Sequence, residues 1–370
     1  MKKLLCLIIA IVMLSAIAAG CAADPAPTPA PAAPPAQGET AQPAAETPET
    51  PEAPQELRQL RVAVQPFFIS AQVGFIMDQG WDREAGIEIV PILFNNGALM
   101  NEALAADLWD VATIGGAFVF GVANFDAKVI ASHISGTGGN DIYTFANSPI
   151  AQVRGANPTF PNVLGDPDSV RGATILQTAG TTSQLAIMRW LEAIGVREGE
   201  VDIVHLEFPQ AWQALQMEQG DVAALVAPFS LQAYADDTFV RVASLEDLAT
   251  PLYEQIVASR RAYENMQEEL QIFLELLFRA NDVLEADFEL KVDNVQRWLT
   301  EHGIDVDEDA VRQESMLKPY VTSAQALQMG LGDFQMAFAE FQVLIERLEP
   351  HQLAIVEANI RPNLLIAALS

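Results

Sequence analysis

The chain of 370 residues carries only two cysteines, Cys6 and Cys21. Beyond residue 21 there is none, so the body can hold neither a disulfide framework nor a cysteine-based metal site. Histidine is nearly as scarce. His133, His205, His302 and His351 stand apart, without the paired spacing of a metal site. No Gly-x-Ser-x-Gly, Walker loop or GxGxxG occurs. These absences argue against an enzyme, and no metal or cofactor is expected. Positive charge is also short: 20 Lys and Arg stand against 49 Asp and Glu, for a formal net charge of −29. So acidic a chain is a poor partner for nucleic acid and a poor fit to a flat anionic membrane surface.

What is present begins with a leader. Lys2 and Lys3 precede the uncharged apolar run Leu4 to Ala19, too short for a membrane span and typical of a secretion signal over residues 1–20. The run ends Ile17-Ala18-Ala19-Gly20-Cys21. This resembles the lipobox of bacterial lipoproteins, with Ala18 where Leu is commonest. The resemblance implies that Cys21 is diacylated and becomes the N-terminus, and two acyl chains give a stable anchor. Residues 21–56 then read as a tether. Ten of the chain's 22 prolines lie at 22–56, where there is no Lys or Arg and almost no large apolar side chain. Such a segment buries too little surface to fold, and proline keeps it extended.

The remaining residues, from Leu57, are too many for one simple core and suit two lobes. Their centre is Gly172 to Val196. Ala173 to Gln177 reads as a strand, Gly180 as a turn, and Thr181, Thr182 and Ser183 as helix-capping hydroxyls. Leu185, Ile187, Met188, Leu191 and Ile194 follow at helical spacing until Gly195. Free N–H groups beside three hydroxyls make either a plain helix cap or a receptor for a small polar group. Before this stretch, Leu60–Val64, Ile87–Ile92, Val111–Ile114 and Val129–His133 read as strands separated by helices, the pattern of a parallel-type sheet. After it come strands at Asp202–Leu206, Ala223–Ala227 and Phe239–Val242. Helices dominate from Ala262 onward.

One repeat is informative. Ala103-Leu104, Asp110-Val111-Ala112 and Phe118 recur at identical spacing as Ala214-Leu215, Asp221-Val222-Ala223 and Phe229. Each copy is a helix end, a turn carrying Asp and a buried strand. In open α/β sheets, ligands sit outside the carboxyl ends of strands. Two such edges facing each other would form a cleft.

On these features the chain resembles the solute-binding proteins of the nitrate/sulfonate/taurine group of ABC importers, which includes binders of thiamine-pyrimidine precursors. The matching stretches are Leu60–Pro66, Gly80–Gly86, Asn96–Gly116, Val170–Gly195 and Ala214–Phe229. The resemblance implies an α/β, two-lobed type II periplasmic-binding-protein fold. Each lobe would be a mixed sheet flanked by helices, with the ligand cleft between them. Lobe 1 is expected at 57–133 and 241–370, lobe 2 at 134–240, with crossings near Ala131–His133 and Val240–Ala243. The expected function is an extracytoplasmic, lipid-anchored monomeric receptor on the cell membrane, delivering a small organic compound to an ABC permease and ATPase. A sensor component is the alternative, and an enzyme like the pyrimidine-precursor synthases a lesser one. Carried over position by position, the ligand-binding residues are Phe67, Phe68, Asn96, Gly115, Gly116, Gly180, Thr181, Thr182, Ser183, Gln210 and Phe229. None of these loops carries Lys or Arg, which points to a neutral, zwitterionic or singly charged ligand rather than a sulfonate.

Overall fold

Short, continuously apolar segments set the architecture. The runs VATI and VAALV are buried at every position, as strands covered on both faces require. The structure is a computed structural model that describes residues 57–370. The leader 1–20, Cys21 and the tether lie outside the described residues.

Ten strands occur in chain order: β1 Arg58–Val64, β2 Ile87–Leu93, β3 Val111–Ile114, β4 Lys128–Ser135, β5 Asn140–Phe145, β6 Thr174–Gln177, β7 Asp202–His205, β8 Val222–Val226, β9 Phe239–Ser244 and β10 Tyr253–Ala258. They form two five-stranded sheets, ordered β2-β1-β3-β10-β4 and β7-β6-β8-β5-β9. The two orders are the same topology. In each, three parallel neighbours are followed by an antiparallel strand that has just arrived from the other sheet: β10 in the first and β5 in the second. The sheets are therefore mixed rather than purely parallel, because each incoming strand enters against the direction of its neighbours.

The repeat seen in the sequence is a structural one. Asp110 accepts a hydrogen bond from the Arg61 backbone N–H at 2.8 Å, and Asp221 accepts one from the Thr174 N–H at 2.8 Å. In both halves the aspartate before the central parallel strand, β3 or β8, is bonded to the parallel strand beside it, β1 or β6. The match extends to a serine. Ser70 Oγ accepts from Gln65 N–H at 2.8 Å and meets Thr113 Oγ1 at 2.6 Å. Ser183 Oγ accepts from Thr178 N–H at 3.2 Å and donates to the Ala224 carbonyl at 2.9 Å. Each serine ties the loop after β1 or β6 to the neighbouring strand, β3 or β8.

The strand at Phe239–Ser244 pairs antiparallel with β5 and stays in the second sheet. The chain leaves the first sheet over residues 136–139 and returns over 245–252, later in both cases than the crossings read from the sequence. The C-terminal helices pack mainly on the first sheet. Helix Phe288–Glu301 comes so close to helix Ala71–Asp78 that a Cβ on Gly74 would stand 2.5 Å from the Trp298 ring. The Trp298 indole N–H donates to the Gln65 carbonyl at 3.0 Å and so holds the loop after β1.

Candidate ligand-binding cleft

The carboxyl ends of the parallel strands in both sheets meet at one cleft of about 480 Å³, its open mouth included. Gln65, Phe67 and Ile69 follow β1, Gly97 follows β2, and Gly115, Gly116 and Ala117 follow β3. From the second sheet come Thr181 and Thr182 after β6, Phe208 after β7, and Val226 and Ala227 at the end of β8. Asn140 opens β5. Two charged residues complete the lining: Glu254 on β10, and Lys318 at the end of helix Glu308–Leu317.

Two hydrogen bonds join loops of the two sheets at this cleft. Gly116 N–H donates to Thr182 Oγ1 at 3.3 Å, and Asn96 Nδ2 donates to Glu207 Oε2 at 2.7 Å. Glycine at 115 and 116 allows this approach. A Cβ on Gly115 would stand 2.7 Å from Glu254 Oε2, and one on Gly116 would stand 3.0 Å from the Phe338 ring. The apolar wall is aromatic. Phe67 meets Phe208 edge-on at 5.7 Å and Phe229 at 6.3 Å, geometries that favour ring packing.

The helix Thr182–Ile194 forms as its sequence suggests. Thr181 is its N-cap, with Oγ1 accepting from Ser183 N–H at 3.2 Å, and Gly195 ends it at φ 73°. The three hydroxyls divide their labour. Thr181 and Thr182 line the cleft, whereas Ser183 points into the strand layer and is 2% exposed. Gly180 adopts φ 67° and donates its N–H to Gln184 Oε1 at 2.8 Å, shaping the turn behind the wall.

Among the other residues read from the sequence, Phe67, Gly115 and Gly116 are in the lining. Phe229 stands behind Phe67. Asn96 caps helix Gly97–Leu104 through Ala98 and Leu99 N–H, and bridges to Glu207 at the cleft edge. Phe68 turns away, fully buried against Tyr320 at 4.9 Å. Gln210 is exposed, two residues beyond Phe208, which takes the inward position.

The electrostatics of the cleft come from residues outside the loops considered in the sequence. Lys318 is buried and donates to Glu314 Oε1 at 2.9 Å. Burial works against its ammonium, but Glu314, Glu254 and Asp141 together outweigh burial and hold it above the ordinary lysine range. Glu254 is buried, and its Oε2 has no hydrogen-bond partner among the described residues. Burial lifts its carboxyl above the ordinary glutamate range; Lys318 opposes the lift and Glu314 adds to it. A second groove of about 530 Å³ lies behind the wall, lined by Leu185, Arg189, Thr250, Phe334 and Phe341 among others. No His/Cys/Asp/Glu group able to hold a metal occurs among the described residues.

Residues 53–297 match the NMT1-like family. The chain belongs to that family. A Brachyspira hyodysenteriae protein that carries the name of an ABC transporter periplasmic binding protein is 35% identical over 311 residues, covering 84% of this chain and 90% of that protein. Among solved structures, the periplasmic aliphatic sulphonate binding protein SsuA of Escherichia coli superposes with a TM-score of 0.63 at 18% identity, covering 84% of this chain and 99% of that one. The periplasmic nitrate-binding protein NrtA of Synechocystis superposes with a TM-score of 0.65 at 13% identity, over 85% of this chain and 88% of that one. The family membership and the two-lobed periplasmic-binding-protein fold read from the sequence both hold. In this NMT1-like chain the cleft is lined by the charged Glu254 and Lys318, where the strand-end loops themselves carry no Lys or Arg. A buried-strand pattern in Tyr253–Ala258 was the available signal for Glu254. No local pattern marks Lys318.

Proposed function

We propose that this protein is an extracytoplasmic solute-binding receptor, anchored through a lipid on Cys21, that captures a small organic compound between two lobes and hands it to an ABC permease and ATPase as a monomer. The name of the Brachyspira relative and the sulphonate- and nitrate-binding titles of the structural neighbours support a transport receptor over an enzyme. The lobes are assigned to residues 57–135 with 253–370, and to 140–244, joined by the two crossings.

The observation that carries the reading is the Gly116–Thr182 hydrogen bond across a cleft walled by strand ends of both sheets. A bond of this kind contributes about 0.5–1.5 kcal/mol. It exists only while the lobes are together, so a ligand that bridges them shifts the population toward the closed form. Small-angle scattering with and without a compound that binds tests this. The radius of gyration should fall on saturation, and an unchanged profile with proven binding would mean a rigid pocket. Anchoring is tested by Cys21→Ala, which should abolish acyl labelling and release the protein from the membrane fraction.

A further inference from the structure

The buried carboxylate in the cleft has more to say about the ligand. Glu254 is 7% exposed and packs so close to Gly115 that a Cβ there would stand 2.7 Å from Oε2. That oxygen has no hydrogen-bond partner among the described residues. A buried carboxylate left unpaired is strongly disfavoured, and the penalty is removed when a cationic donor reaches it. Lys318 acts on Glu254 only through space: its ammonium donates to Glu314 Oε1, and Glu254 Oε2 receives no hydrogen bond from it. Three carboxylates, Glu314, Glu254 and Asp141, act on this single ammonium. Glu314 and Asp141 stand outside the lining, so Lys318 is held largely by carboxylates behind the cleft wall while Glu254 is the carboxylate that lines the cleft. Facing it are Phe67 and Phe208, whose rings can stack on an apolar frame or attract a cation.

We infer that the ligand is an organic ammonium compound whose N–H group binds the Glu254 carboxylate while its carbon frame packs against Phe67 and Phe208. The inference rests on the receptor reading above and adds the chemical class. It points away from an anionic ligand at Gly115, where Glu254 would repel it.

Three probes of one shape and different charge test it: benzylamine, benzyl alcohol and phenylmethanesulfonate, each titrated at millimolar concentration into the purified protein and followed by melting temperature and calorimetry. Benzylamine should bind and the sulfonate should not. Glu254→Gln should weaken benzylamine at least ~10-fold, as expected for loss of a hydrogen bond to a charged group. The same substitution should raise the melting temperature of the ligand-free protein, since it removes an unpaired buried charge. Failure of benzylamine to bind overturns the inference whatever the other probes do. So does a fall in the ligand-free melting temperature of Glu254→Gln, which would mean that the carboxylate is satisfied within the fold. Binding of the sulfonate in place of the amine overturns the ligand class and leaves the receptor reading standing. Absence of lobe closure by scattering counts against the receptor reading separately.

Discussion

Replacing Ser183 with alanine tests whether the three hydroxyls at the start of helix Thr182–Ile194 have separate roles. Ser183 Oγ accepts from Thr178 N–H at 3.2 Å and donates to the Ala224 carbonyl at 2.9 Å. Its side chain is 2% exposed, so water cannot replace either bond. Stranding one buried N–H costs about 1–3 kcal/mol. The carbonyl has a second lone pair and adds less, so the total should be about 2–3 kcal/mol. For a body this large, 1 kcal/mol moves the melting temperature by roughly 2 °C, the low end of the usual range. Ser183→Ala should therefore melt about 4–6 °C below the wild type, with an unchanged denaturant m-value. Ser70→Ala should cost a similar amount, because Ser70 makes the corresponding bonds to Gln65 and Thr113. Thr182→Val keeps the shape and removes only the 3.3 Å bond from Gly116 N–H across the cleft. It should cost at most about 1 kcal/mol of stability and act mainly on ligand affinity. Calorimetric melting of the three variants without ligand gives the comparison. If Ser183→Ala melts with the wild type while Thr182→Val is strongly destabilised, the division of roles is wrong.

Gly115→Ala would place a Cβ 2.7 Å from Glu254 Oε2 and 3.4 Å from Thr182 Oγ1. The first neighbour is the end of a flexible side chain, so the protein should fold with a near-normal melting temperature while binding in the cleft falls; unchanged affinity would place the ligand elsewhere. His133 is fully buried, and burial lowers its pKa from 6.5 to about 3. The folded state keeps it neutral while the unfolded chain takes up a proton below 6.5. Its contribution is complete above pH 6.5 and is lost, at about 1.4 kcal/mol per pH unit, as the pH falls toward 3. Asp141 acts with the opposite sign. Burial raises it from 3.8 to about 6, opposed by Arg241, so its contribution is complete below 3.8 and is lost as the pH rises through 6. By urea unfolding, the stability advantage of the wild type over His133→Gln should grow by about 1.4 kcal/mol per pH unit from pH 4.5 to 6, where Asp141 alone would make the variant less stable as the pH rises, and parallel profiles would contradict this.

The strand-and-helix alternation was legible because buried parallel strands are short apolar runs and helix caps are local chemistry. Thr181 and Gly195 cap their helix as their residue types suggest. The repeat was legible because Asp110 and Asp221 must each satisfy a backbone N–H of a neighbouring strand, which fixes residue and spacing together. The cleft was less legible. Phe67 and Phe68 are adjacent aromatics in one loop, and only the position of Tyr320, far along the chain, decides that Phe68 faces the core. Gln210 and Phe208 share a helix, and its packing face selects Phe208. Glu254 and Lys318 reach the site from a strand inserted late in the chain and from a C-terminal helix. Neither carries a local sign of the cleft that folding brings around it.

The central claim is that a small molecule binds between the strand ends of the two sheets. A crystal structure of the protein saturated with a compound that raises its melting temperature tests this most directly. The account predicts density between Gly115–Ala117 and Thr181–Thr182, with a ligand nitrogen against Glu254. Density only in the groove lined by Arg189, Phe334 and Phe341, with the cleft between Gly116 and Thr182 empty, would contradict it.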